Sequence, residues 1–139
     1  MLIVANQTAT SPELITALRQ RTRPGVVHFH LVVPALNSRL RHWLSDSDRA
    51  VQIAHDRGQD ARSKMADYGI SVSVEIGDSV PMLAIADALS RFDADEILIS
   101  TLPTQRSHWL ERDLINQSRR HFGLPVAHVI GAEPTSLAA

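Results

Sequence analysis

Five short apolar runs alternate with four stretches of helical period in this chain, and no two-residue hairpin signal joins any neighbouring pair. The order βαβαβαβαβ constrains the fold strongly. Parallel strands cannot be joined by tight turns, so each crossover must carry a helix, and right-handed crossovers place those helices on both faces of one parallel sheet. A parallel sheet covered on both faces buries its central strands throughout, so these read as continuous apolar runs, while Ile70 to Ile76 alternates.

Leu2 to Ala5 is the first such run, rich in branched residues. Ser11-Pro12-Glu13 then reads as a helix start, with Ser11 as N-cap and Pro12 at the tolerated first position, and Leu14, Ile15, Ala17 and Leu18 form its apolar face. Arg23-Pro24-Gly25 ends that helix, and Val26 to Val33 is the second strand, closed by Pro34. Ala35 to Ser45, which holds Arg39 to Trp43, has no period and reads as a loop. From about Asp46 a long helix is expected, with Val51, Ala54, Gly58, Ala61, Met65 and Tyr68 as its seam. Gly69 ends it, and Ile70 to Ile76 is the third strand. Asp78 or Ser79 caps the next helix, with Leu83, Ala86 and Leu89 inward. Glu96 to Ser100 is the fourth strand and Thr101 to Ser107 a loop. A helix from about His108 carries Leu110, Leu114 and Phe122, Gly123 is its left-handed cap, and Val126 to Ile130 is the last strand. One domain over residues 1–131 is expected, with a frayed tail over residues 132–139.

Composition removes several function classes. Fourteen basic and fifteen acidic residues leave a net charge of -1, so there is no electrostatic footprint for nucleic acid. No apolar run approaches the roughly 20 residues that span a bilayer, and the first residues lack the basic region of a signal peptide, so a cytoplasmic protein is expected. Cysteine is absent, which excludes disulfides and thiolate chemistry, and Lys64 is the single lysine. The chain lacks a G-x-x-x-x-G-K-[ST] loop, a G-x-G-x-x-G fingerprint and a G-x-S-x-G elbow. No placed nucleophile, base and acid can be read from it, so a non-catalytic protein is expected, with a small hydrolase or transferase the least supported alternative. His28 and His30 share a strand face but have no carboxylate at ligand spacing, so they are expected to pack under a helix with hydrogen-bonded rings, and no metal is expected.

Three stretches carry a resemblance. The first is Ile3-Val4-Ala5-Asn6-Gln7-Thr8, leading into Ser11-Pro12-Glu13-Leu14. The second is Glu75-Ile76-Gly77-Asp78, followed by Leu83-Ala84-Ile85 and by Phe92-Asp93-Ala94-Asp95-Glu96-Ile97-Leu98-Ile99. The third is Gly123-Leu124-Pro125-Val126 to Ile130. In this order and spacing they resemble the universal stress protein family over most of the chain. The resemblance implies a Rossmann-like sheet of the adenine nucleotide alpha hydrolase type, in the order 3-2-1-4-5, with a crevice between the first and fourth strands. Asn6, Gln7 and Thr8 would there face Ser100, Thr101 and Pro103.

ATP-binding members of that family carry Gly-x-x-Gly after the fourth strand and, further on, Gly-Ser or Gly-Thr. Here Ser100 and Pro103 stand at the two glycines, Asp113-Leu114 stands near the later pair, and Asn6 replaces an Asp after the first strand. Pro103 has no amide proton to offer a phosphate. Losing one hydrogen bond to a charged group costs roughly 1.5–3 kcal/mol, about ten- to a hundredfold in affinity. Asp113 adds a negative charge where a triphosphate would lie.

The resemblance thus implies a stress-response or regulatory module with weak or absent ATP binding and no required cofactor. Its alternative is an adenine-nucleotide binder, AMP rather than ATP, that uses hydroxyls, Arg106, Ser107 and the N-terminal amides of the following helix. Trp43 and Trp109 are expected to pack rather than to flank a base. A homodimer through the last strand, at Val126, His128 and Ile130, is the implied assembly.

Overall fold

A computed structural model describes residues 1–22, 27–36, 44–103, 107, 109 and 113–132. The expected stop at Arg23-Pro24-Gly25, the start of the second strand at Val26, the Arg39 to Trp43 loop, Thr104, Arg106, the helix start at His108 with Leu110, and most of the tail lie outside the described residues.

The strands are β1 (Leu2–Val4), β2 (Phe29–Pro34), β3 (Val72–Gly77), β4 (Ile97–Thr101) and β5 (Val126–Ile130). The helices are α1 (Pro12–Arg21), α2 (Leu44–Asp67), α3 (Pro81–Arg91) and α4 (Leu114–Phe122). All four pairings are parallel and the sheet order is β3-β2-β1-β4-β5, the α/β layout expected from the element order.

Alternation along the strands divides the core into two layers. Ile3, Ala5, Leu31, Val33 and Leu98 pack with Leu14, Leu18, Ala54, Ala61 and Met65 of α1 and α2. Leu2, Val4, Val32, Ile97 and Ile99 pack on the opposite face with Ala84, Ile85, Ala88, Leu114 and Ile115 of α3 and α4. The central strands β1 and β4 are buried along their whole length, as a doubly covered sheet requires. Each fully buried Leu or Ile contributes roughly 1.5–3 kcal/mol of transfer free energy, which makes these two layers the main source of cohesion.

Local chemistry sets the helix ends. The Ser11 hydroxyl accepts the Leu14 amide at 3.2 Å, with Pro12 at the first helical position. Gly69 and Gly123 end α2 and α4 in the left-handed region, φ 76° and 65°. Helix α2 sits close to the sheet because Gly58 has no side chain: a Cβ there would meet Val74 Cγ1 at 2.7 Å.

Four local expectations are corrected. Helix α3 starts at Pro81 with Val80 as a cap that makes no side-chain bond, because a proline is best tolerated at the first position; Asp78 instead accepts the Val80 amide at 2.8 Å, in a turn ahead of the helix. The inward face of α3 is Ala84, Ile85 and Ala88, while Leu83 and Ala86 are exposed. The α2 seam holds at Ala54, Gly58, Ala61 and Met65, but Val51 and Tyr68 are about half exposed, at 47% and 49%. Strand β2 starts at Phe29, so His28 precedes it and is exposed, whereas His30 is half-buried with both ring nitrogens bonded.

Candidate functional site

Strand β1 lies at the centre of the sheet, and the chain leaves it toward α1 on one face but leaves β4 toward α4 on the other. The carboxyl ends of β1 and β4 therefore flank the topological switch point, where ligands of such folds are held. Six of the eight residues expected at the site, Asn6, Gln7, Thr8, Ser100, Thr101 and Pro103, follow or end these two strands. Ser107 is buried, at 5% exposure, and Arg106 lies outside the described residues.

The switch point is bridged by the protein's own polar groups. Thr8 and Ser100, each 1% exposed, share a hydrogen bond of 2.5 Å between their hydroxyls, which ties the loop after β1 to the end of β4. Asn6 is equally committed. Its Nδ2 donates to the Pro34 carbonyl at 2.6 Å, and its Oδ1 accepts from the Arg57 guanidinium. Both ends of a buried amide are thereby satisfied, and freeing either would cost the desolvation of that group, about 1–3 kcal/mol. Successive turns, Ala9 N–H to Asn6 C=O at 3.1 Å and Ser11 N–H to Thr8 C=O at 3.0 Å, hold the loop that carries them. The single lysine is spent on the same loop: Lys64 donates to the Thr10 carbonyl at 2.6 Å.

On the β4 side, the Thr101 hydroxyl donates to the Leu102 carbonyl at 2.9 Å and lies 2.8 Å from His128 Nε2. With its one proton so used, the hydroxyl accepts from His128, which fixes the ring proton on Nε2. Burial, and then the nearby Arg119 charge, lower the His128 pKa from its ordinary value. Pro103 is half-buried beyond the strand end. Asp113 caps α4 with φ 58°, a left-handed conformation unusual outside glycine, and accepts from Asn116 at 2.9 Å. Trp109 packs against the core layer under α3 and α4, and Trp43 lies outside the described residues.

Arg57 was not legible in the sequence as a site residue. It precedes the α2 seam glycine, and only the packing of α2 against β2 and β3 brings its guanidinium to an amide 51 positions away.

A second polar cluster lies elsewhere. His30, near the amino end of β2, joins Ser73 and Glu75 of β3 and, through Glu75, Arg91 of α3. A further cavity of about 240 Å³ is lined by Met82, Gln117, Arg120 and His121, between α3 and α4. Among the described residues, no three His, Asp or Glu groups gather to hold a metal, and no helix is long and apolar enough to cross a membrane.

The fold and the switch point define the molecule as a doubly wound, Rossmann-like α/β protein. No family model matches the chain, and no curated protein matches it either.

Proposed function

We propose that the chain is a stress-response or regulatory module of the universal stress protein type, whose nucleotide crevice is non-catalytic and bridged by its own side chains. The observation that carries this reading is the Thr8–Ser100 hydroxyl bridge across the switch point, next to an Asn6 already saturated by Pro34 and Arg57. A phosphate entering there must break bonds made in a buried setting, so ATP binds weakly or not at all. The left-handed backbone at Asp113 adds support for the kinship, because the ATP-binding relatives carry glycine near that position. The module acts in the cytoplasm and forms a homodimer through the free edge of β5.

A second reading, AMP binding, is favoured by one observation. Among the described residues, Arg57 brings a guanidinium to Asn6 beside the crevice, a group suited to meeting one phosphate. Calorimetry with ATP and AMP tests both. ATP is expected to bind no tighter than about 1 mM, about 4.1 kcal/mol. ATP retained through purification would overturn the first reading. AMP binding in the micromolar range that Arg57→Ala abolishes would establish the second.

A further inference from the structure

We propose that Ser73, His30 and Glu75 form a nucleophile relay, and that Ser73 is acylated by small esters with good leaving groups. The relay is independent of the nucleotide reading, since it lies toward the amino ends of β2 and β3 while the crevice is at the carboxyl ends of β1 and β4.

Parallel pairing sets the three side chains in a row. His30 is the register partner of Ser73, and Glu75 stands two residues further along β3 on the same face. His30 Nδ1 is 2.6 Å from the Ser73 hydroxyl, and Nε2 is 2.6 Å from Glu75 Oε1. Phe92, just past α3, stacks on the imidazole with ring centroids 5.0 Å apart and planes 22° apart, which fixes the ring orientation. Arg91 holds the other Glu75 oxygen.

Proton placement follows from these contacts. Burial pushes the Glu75 carboxyl up, but the hydrogen bonds and charges of His30 and Arg91 together outweigh it and keep the group below its ordinary value. An ionised carboxylate only accepts, so a ring proton sits on Nε2 facing Glu75, and with that proton alone the ring presents a lone pair at Nδ1. The Ser73 hydroxyl then donates to Nδ1, because its other acceptor, the Phe29 carbonyl, is 3.5 Å away and too far to compete. A hydroxyl donating to an imidazole whose tautomer is held by a carboxylate is the arrangement that activates serine nucleophiles. Ser73 is exposed, so an acyl group reaches it directly from solvent.

In the step itself, Ser73 Oγ bonds to the ester carbonyl carbon while its proton passes to His30 Nδ1. The tetrahedral adduct expels the alcohol, which takes that proton. Water then attacks the acyl-serine by the same route, releasing the carboxylic acid and restoring the hydroxyl. No other reactant is consumed.

The test uses the full chain with a fluorophosphonate probe, where the Oγ–P bond forms and fluoride leaves, and with p-nitrophenyl acetate. A single adduct at Ser73 is expected by intact mass and peptide mapping, and none on Ser73→Ala, an exposed change that the fold tolerates. General-base assistance is worth about 10²–10⁴-fold, so His30→Gln is expected to slow labelling by at least about a hundredfold. Glu75 is a positioning residue: Glu75→Gln lets an amide donate to Nε2, reverses the tautomer and stops labelling, while Glu75→Asp restores part of it. No adduct on the native chain, labelling that persists in Ser73→Ala, or equal rates with His30→Gln would each overturn the proposal.

Discussion

At Gly58 two effects of known size oppose each other. Replacing a helical glycine by alanine gains about 1 kcal/mol of backbone propensity. The added methyl, however, would lie 2.7 Å from Val74 Cγ1 and 3.5 Å from Val33 Cγ2, and a β-branched valine on a strand has little rotameric freedom to retreat. Overpacking of this kind costs roughly 1–3 kcal/mol, so the clash wins. Gly58→Ala is expected to lower the thermal midpoint by a few degrees, about 1 kcal/mol net, in a calorimetric scan. The double variant Gly58→Ala with Val74→Ala should regain the alanine propensity on the α2 side, and unchanged melting of the single variant would refute the close approach. Residue-scale chemistry of this sort was readable beforehand, because a glycine inside an apolar seam has few other uses. The placement of Asn6 to Thr8 and Ser100 to Pro103 at the carboxyl ends of β1 and β4 was readable for a related reason: strand ends in a parallel sheet are predictable in space. Arg57 and the partners of His30 were not, since Ser73 and Glu75 lie 43 and 45 positions from His30 and meet it only through strand pairing.

Among the elements, α3 shows where periodicity misleads. Leu83, Ala86 and Leu89 share one stripe and Ala84, Ile85 and Ala88 the adjacent one, and a leucine looks like the better core residue. The sheet decides otherwise. A Cβ on Gly77 would meet Ala84 Cβ at 2.7 Å, so α3 approaches too closely for anything larger than alanine at that point. Ala84 and Ala88 therefore face inward on either side of Ile85, and Leu83 is left 51% exposed. Helix α1 was legible to its cap, and Ser11→Ala is expected to cost about 1 kcal/mol in denaturant unfolding. Among the described residues, strand β5 ends the sheet with an unpaired edge, and Ile130 at its tip is 47% exposed. Ile130→Glu changes no core contact of the monomer, so it should dissociate a β5-mediated dimer in native mass spectrometry. A dimer that survives the added charge forms elsewhere.

For the whole molecule, two of the groups with shifted pKa values, His128 and Glu75, give stability a defined dependence on acid. His128 has a lowered pKa in the folded state, so the unfolded chain binds its proton more readily. That group's contribution is complete above the usual imidazole value of 6.5 and is lost as pH falls below it toward the folded value. Glu75 is also lowered, but as a carboxylate its contribution persists above 4.5 and is lost as pH falls further, through its own folded value. Both slopes have the same sign, so unfolding free energy is expected to decline in two acid steps, the first belonging to β5 and the second to the β2–β3 pair. His128→Gln keeps an amide donor for Thr101 without a titrating ring, and should flatten the step below pH 6.5 alone. Glu75→Gln should flatten only the step below 4.5. Urea midpoints at half-unit pH intervals separate the two, and a first step unchanged in His128→Gln would show that the lowered histidine does not govern it.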